Sequence, residues 1–549
     1  MNRDTFDEGR RRALGWLGGL GAASLAGCCL PSQFGKQNIK PISALTDDAP
    51  HILTLRAAGL RPSLPRHAID VHSHFFNASD AAVTGYLIHS VGHTASPAIQ
   101  ALLRAMQPVL NALTRIAPTA ASEYRQLREL PSQVMGLDAG AVEARMQTLM
   151  LQRRQSIATE LAREMRRQGA DRVYLDALRS TTPANLLQTV PNTLTDEMVL
   201  EALDPFARPA LVQGTGEHPG GVLQFMGCML QERWMSLKTF QAGYGPQGIA
   251  ACFGALVDFD HWYDCAGRSS LQDQVKLHGL MSRLSDGYLL PLVAYNPWTD
   301  IIKKGAALEL VKQAVAEHGF IGVKIYPPVS FYPYGNATLD YPKGFAHPNL
   351  KDLDARLREL FTWCGDNNIP VMAHTNSTMG QNDAADQLGG PKGWKALIAE
   401  LQASQRSPLV NLGHFGGGES AQTWTQQFAA MMGGPGGERV YGDLGYWDEL
   451  RSCPTGAADC APVKRLLEAK AQHPGLEQRL MYGSDWFMYI QVNGWDGFPQ
   501  EVADALRGHF DLDRLFHGNA MACFGLENGG PNRERIVRHL GQTPAWMGS

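Results

Sequence analysis

Several familiar chemistries are missing from this chain of 549 residues. No His-Glu-x-x-His occurs, so the helix-borne zinc pair of metalloproteases is excluded. No Gly-x-Gly-x-x-Gly follows the first apparent strand, which argues against a dinucleotide fold. Net charge is only −4, so no chain-wide basic field favours nucleic acid. The nine cysteines show none of the close spacing of a structural zinc site. The apolar run near the N-terminus is too short to span a bilayer as a mature helix. A hydrophobic share of 44%, a charged share of 19% and 57 glycines suit a loop-rich globular α/β protein.

At the N-terminus, Arg10, Arg11 and Arg12 precede a small-residue apolar stretch ending Leu25-Ala26-Gly27-Cys28. This pattern reads as an export signal over 1–27, with residues 28–65 as tether and N-terminal arm. The arginines resemble a twin-arginine signal, and Leu-Ala-Gly-Cys resembles a bacterial lipobox with lipid attached at Cys28. The expected location is the periplasmic face of a bacterial membrane, as a lipoprotein. The alternative is an ordinary secretory signal in which Cys28 is incidental. In such an oxidising compartment Cys453 and Cys460 could close a small loop, although connectivity stays open from sequence.

The central stretch is Ala68-Ile69-Asp70-Val71-His72-Ser73-His74. Alternation makes it a strand, in which residues two apart share a face roughly 6.5–7 Å from each other. His72 and His74 can therefore offer two imidazoles to one metal ion. Asp70, read as inward on the same strand, is a candidate support for them.

From about 80 to 245 the chain reads as helical. Stripes such as Leu103, Met106, Leu110, Leu113 and Ile116 form packing faces, as do Met226, Met229, Leu230, Trp234 and Leu237, with Arg153, Arg154, Arg163, Arg166 and Arg167 as a solvated side. Beyond Ile249, short apolar runs alternate with helices. The runs end at Asp258, Asn296, Tyr326, His374, His414, Leu444 and Asp485. With the His72 strand these make eight βα units, predicting an α/β fold, a closed (β/α)8 TIM barrel over 66–530. A large helical insertion falls between strands 1 and 2, and 531–549 is a C-terminal tail. The runner-up is an open doubly wound sheet. On the lysine strand, Ile321, Val323 and Ile325 are expected to face the outer helices and Lys324 to face inward.

Barrel active sites form at the C-terminal strand ends, where His72, His74, Lys324, His374, His414 and Asp485 all fall. Each alone is more simply a satisfied core, cap or salt-bridge residue; their coincidence at one barrel face is not. Together the motifs Asp-Val-His-Ser-His, Gly322-Val-Lys-Ile-Tyr-Pro, Ala373-His374, Gly413-His414, Gly483-Ser-Asp485 and Gly518-Asn519-Ala520 resemble the amidohydrolase superfamily, most closely its amidohydrolase-related branch.

That resemblance implies metal held by His72, His74 and His374, with Asp485 binding or neighbouring the ion and handling the proton of the attacking water. His414 is then a general acid/base, or a ligand with His374 of a second ion bridged by carboxylated Lys324. Zinc is the expected ion, with one ion favoured over two. The implied activity is hydrolysis of an amide, lactone or ester of a small molecule. The rivals are a nonoxidative decarboxylase of an aromatic or unsaturated acid and a non-catalytic periplasmic binding protein. The expected partners are that substrate and, through the lipid on Cys28, the membrane; nucleic acid is not expected, and a homo-oligomer stays open. The insertion is a candidate lid or pocket wall, or else an interface. Trp298, Tyr326, Tyr446, Trp447 and Trp486 are candidate pocket aromatics, or packing for the insertion.

Overall fold

The computed structural model describes residues 51–54, 64–81, 97–207, 218–260, 267–344, 346–376, 383–417 and 424–548. The expected export signal over 1–27, Cys28 and most of the 28–65 arm lie outside the described residues.

Eight parallel strands run in sequence order: β1 (Ala68–Ser73), β2 (Ile249–Ala255), β3 (Leu289–Ala294), β4 (Gly322–Ile325), β5 (Val371–His374), β6 (Val410–Gly413), β7 (Val440–Asp443) and β8 (Leu480–Met481). The last strand keeps only two of the residues in its apolar run. The seam between β1 and β8 is closed by Val71 N–H donating to Tyr482 O at 3.1 Å and Asp485 N–H donating to His72 O at 2.7 Å. The (β/α)8 barrel expected from the alternation is therefore the observed fold.

Two buried layers follow from the period-2 side-chain alternation. Inside the barrel, Ile69, Val71, Ala251, Phe253, Leu290, Leu292, Met372 and Met481 form one apolar cluster. Between strands and helices lies a second, larger cluster that includes Val293, Val323, Ile325, Val371 and Leu412. Each fully buried Leu, Val or Phe contributes about 1.5–3 kcal/mol to these layers. On β4 the phase of Val323, Lys324 and Ile325 is as expected; Ile321, which precedes the strand, instead joins the interior cluster. The segment expected as a tail is packed: Ile536, Leu540, Trp546 and Met547 extend the interior cluster.

Among the described residues no strand lies between Ser73 and Ile249. The insertion there contains α1 (Pro97–Leu113), α2 (Ala120–Gln133), α3 (Ala139–Gln168), α4 (Ala170–Thr181), α5 (Asp196–Ala202), α6 (Pro219–Leu230) and α7 (Arg233–Tyr244). The Met226–Leu237 stripe is divided between α6 and α7. α6 approaches the loop after β8 so closely that a Cβ on Gly221 would lie 2.2 Å from the Gln491 carbonyl oxygen. Phe225 meets Phe487 at 5.5 Å, and Phe487 meets Phe76 at 5.0 Å. The insertion thus buttresses the loops beside the strand ends.

One ionic hub joins it to the barrel. The fully buried Arg233 donates from Nε to Asp80 Oδ2 at 2.8 Å, from Nη1 to Glu123 Oε2 at 2.7 Å and from Nη2 to Ser79 Oγ at 2.9 Å. Arg153, expected on a solvated face, instead donates to the Ile116 and Leu230 carbonyls, both at 2.7 Å. Its reach across helices outcompetes solvent because those carbonyls end helical segments and need donors.

Candidate metal centre

His72 reaches the barrel mouth through a break in the β1 register. Asp70 pairs with Cys252, whose side chain lies in the outer layer, and the pairing then shifts before Ser73. Val71 faces the interior, and so does the next residue, His72, since its ring meets Lys324 and Asp443. A bulge of this kind re-aims a side chain without ending the strand. Asp70 stabilises it: Oδ1 accepts from His72 N–H at 2.9 Å and from Ser484 N–H at 3.1 Å. Asp70 is therefore not inward, as alternation alone suggested; it supports His72 from the outer layer.

Each imidazole is held by a partner at Nδ1. His72 Nδ1 lies 2.9 Å from Asp443 Oδ1, and His74 Nδ1 lies 2.8 Å from Ala255 O. With Nδ1 carrying the proton, Nε2 presents a lone pair, the usual outer arrangement around a ligating histidine. Asp485 Oδ1 stands 3.5 Å from His72 Nε2 and 3.3 Å from His74 Nε2. A tetrahedral site with bonds of about 2.0–2.1 Å has edges of roughly 3.3–3.4 Å, so these separations fit one ion such as zinc. All three donor atoms lie within 4.8 Å of one another.

The remaining strand-end residues gather at the same mouth. Lys324 Nζ is 3.3 Å from His72 Nε2. His414 Nε2 is 3.0 Å from His374 Nδ1, while His414 Nδ1 is 2.8 Å from Gly445 O. His374 Nε2 is buried without a hydrogen-bond partner. His374 thus faces His414 and stands apart from the three clustered donors. Both His414 and Asp485 have left-handed backbones, φ 68° and 61°, a strained state that turns each side chain over its strand end.

Charge follows from burial and proximity. Burial holds His72 and His374 well below the ordinary histidine range, reinforced by Lys324 and His414, so both are neutral ligands-in-waiting. Burial pushes the Asp485 carboxyl up, but the imidazoles of His74, His72 and His414 around it outweigh that and bring it to about 2. Burial lowers Lys324 to about 8, against the pull of Asp485 and Asp443.

Asp443 is the residue that sequence reasoning passes over. Its Oδ1 meets His72 and accepts from His414 N–H at 3.1 Å and Gly445 N–H at 2.9 Å, and its Oδ2 accepts from Asn411 at 2.8 Å. The available signal was its place at the end of β7, matching the other strand-end residues. Of the aromatics, Tyr326 lies over His374 at 4.5 Å, and Trp447 donates to His414 O at 2.7 Å. Trp486 packs against Phe240 of α7 at 5.8 Å. Trp447 and Trp486 are fully buried and serve packing.

The fold is thus an eight-stranded parallel barrel with a His-His-Asp cluster, able to hold a metal ion, at the C-terminal ends of its strands. Residues 294–526 match the family model described as Amidohydrolase, which bears out the resemblance read from the strand-end motifs. The matched span begins at the end of β3 and so lies beyond His72 and His74. No curated protein matches the chain. Among solved structures, an uncharacterized TIM-barrel protein from Bordetella bronchiseptica is 13% identical, covering 69% of this chain and 94% of that one, with a TM-score of 0.33. An amidohydrolase from Burkholderia multivorans with bound zinc is 14% identical, covering 52% of this chain and 87% of that one, with a TM-score of 0.33.

Proposed function

We propose that this chain is an exported metal-dependent hydrolase that uses water to cleave an amide, lactone or ester bond of a small molecule. The observation that carries the reading is the convergence of His72 Nε2, His74 Nε2 and Asp485 Oδ1 at spacings that suit one divalent ion. A zinc ion held there supplies water acidified to near neutral pH and a Lewis acid for the scissile carbonyl.

The chain's own groups do the rest. Asp443 and the Ala255 carbonyl hold the two imidazoles in the ligating tautomer. Asp485, ionised, takes the proton of the attacking water on its carboxylate and returns it to the leaving group. His414, whose Nδ1–H donates to Gly445 O, presents Nε2 as a second base that can return the proton as an acid. In a two-ion variant of the site, His374 and His414 would hold the second ion, and Lys324, carboxylated by carbon dioxide, would serve as a shared ligand. A depressed lysine supports that chemistry, because only the neutral amine adds carbon dioxide.

A disulfide joins Cys453 and Cys460, whose Cα atoms are 5.7 Å apart. Such bonds persist in oxidising compartments, which supports export, and the lipobox at Cys28 adds a membrane anchor to that reading.

The test is elemental analysis of purified protein, followed by assay of the zinc-loaded enzyme on lactone, amide, ester and hydroxybenzoate panels. We expect stoichiometric zinc, with hydrolysis lost on chelation and restored by zinc. Carbon dioxide release without hydrolysis would make it a decarboxylase, with Lys324 as the carboxylate anchor. Ligand binding with no divalent metal, retained in His72→Ala, would make it a binding protein.

A further inference from the structure

Beside the strand ends, in the layer between strands and helices, five buried polar atoms lack a hydrogen-bond partner: Asp70 Oδ2, Tyr244 OH, Tyr482 OH, Tyr489 OH and Trp486 Nε1. They are not scattered. The Ser484 hydroxyl interacts with both the Asp70 carboxyl and the Tyr244 hydroxyl, and Tyr482 lies within electrostatic reach of Asp70, Tyr244 and Tyr489. Tyr244 ends α7 of the insertion, Asp70 belongs to β1, and Tyr482, Ser484 and Trp486 belong to the chain leaving β8. Three elements thus meet on one polar nest inside an otherwise apolar layer.

An unpaired polar group in such a layer carries a penalty comparable to a lost hydrogen bond, and five together multiply it. Buried water relieves that penalty wherever two to four polar groups converge on one point. A carboxylate oxygen that only accepts and hydroxyls that both donate and accept form a set that water can satisfy in full.

We propose that Asp70, Ser484, Tyr244 and Tyr482 enclose internal water, and that this hydrated nest positions the metal ligands from behind. The link is direct. Asp70 Oδ1 holds the backbone N–H of His72 and that of Ser484, the residues that carry or precede the two ligand-bearing turns. Asp485 N–H in turn donates to His72 O. Water on Oδ2 keeps the carboxyl group oriented, so both amides stay bound to Oδ1. Tyr244 makes the insertion part of that support: the helical layer acts on the site through a hydrogen-bond network rather than by touching substrate. Asp70, Tyr244 and Tyr482 are accordingly positioning residues. The inference rests on the metal-centre reading above.

The test joins a high-resolution crystal structure to metal-retention measurements on the whole protein. We expect ordered waters on Asp70 Oδ2 and the tyrosine hydroxyls. Tyr482→Phe and Tyr244→Phe should speed zinc loss to a chelator by about 10-fold. They should also shift the visible bands of the cobalt-substituted enzyme, which report ligand geometry. Asp70→Asn, which keeps an acceptor for both amides, should retain metal better than Asp70→Ala. A dry nest overturns the proposal, as do waters with unchanged metal loss and spectra in both tyrosine variants. Wild-type protein that takes up no divalent ion fails the metal-centre reading itself, and the positioning role falls with it.

Discussion

Nδ1 of His72, at the end of the first strand, meets Oδ1 of Asp443, at the end of the seventh, at 2.9 Å in a fully buried setting. The carboxylate fixes the tautomer of the ring and raises the basicity of Nε2. Asp443→Asn leaves an acceptor for the ring but removes the charge, and places an amide N–H₂ against Asn411. Zinc affinity, measured by chelator competition, should fall 10–100-fold.

Two glycines leave room for that ring. A Cβ on Gly483 would sit 2.6 Å from His72 Cβ, and one on Gly445 would sit 2.6 Å from His72 Nδ1. Gly483→Ala must displace His72 or the β8 turn. Overpacking of this kind costs about 1–3 kcal/mol, so we expect a lower melting temperature together with reduced zinc content.

The Lys324→Met variant separates a one-ion site from a two-ion site. In the one-ion site favoured above, Lys324→Met leaves zinc at one per chain. A fall from two ions to one, measured by mass spectrometry of the metal content, would establish the bridging lysine instead.

Glu123 gives the fold a pH dependence. Burial raises its carboxyl from the ordinary 4.5 to about 7 despite the Arg233 charge beside it. Between those values the folded chain keeps a proton that the unfolded chain releases, so this group's contribution is full below about pH 4.5 and is lost as pH rises through about 7. Glu123→Gln imitates the protonated form. Urea unfolding at pH 5 and pH 7.5 should show a decline in wild type, on the order of 1–3 kcal/mol, that is absent in the variant.

The Cys453–Cys460 bond closes a short loop whose Gly456 N–H donates to Asp504 O at 3.0 Å. Its removal in Cys453→Ser/Cys460→Ser frees the unfolded chain, at a cost of about 2 kcal/mol. Zinc content should be unchanged; urea unfolding and metal analysis check both statements.

Much of this protein is local in origin and was readable from sequence. The eight βα units follow from apolar runs alternating with helical stripes, and the inward phase of Lys324 between Val323 and Ile325 follows from the two-residue period of a strand. The order of His72, His74, Lys324, His374, His414 and Asp485 along the chain likewise placed them at one barrel face, because every strand in a parallel barrel ends there.

What only the tertiary structure decided lies where that period breaks. The register shift in β1 turns His72 inward and leaves Asp70 outside, since Asp70 can hold two backbone amides only once β8 lies beside it. The left-handed turns at His414 and Asp485 are tolerated because neighbouring strands and loops over-determine them. The pairings of His72 with Asp443 and of His374 with His414 join residues far apart in sequence, and closure of the barrel is what brings them within reach.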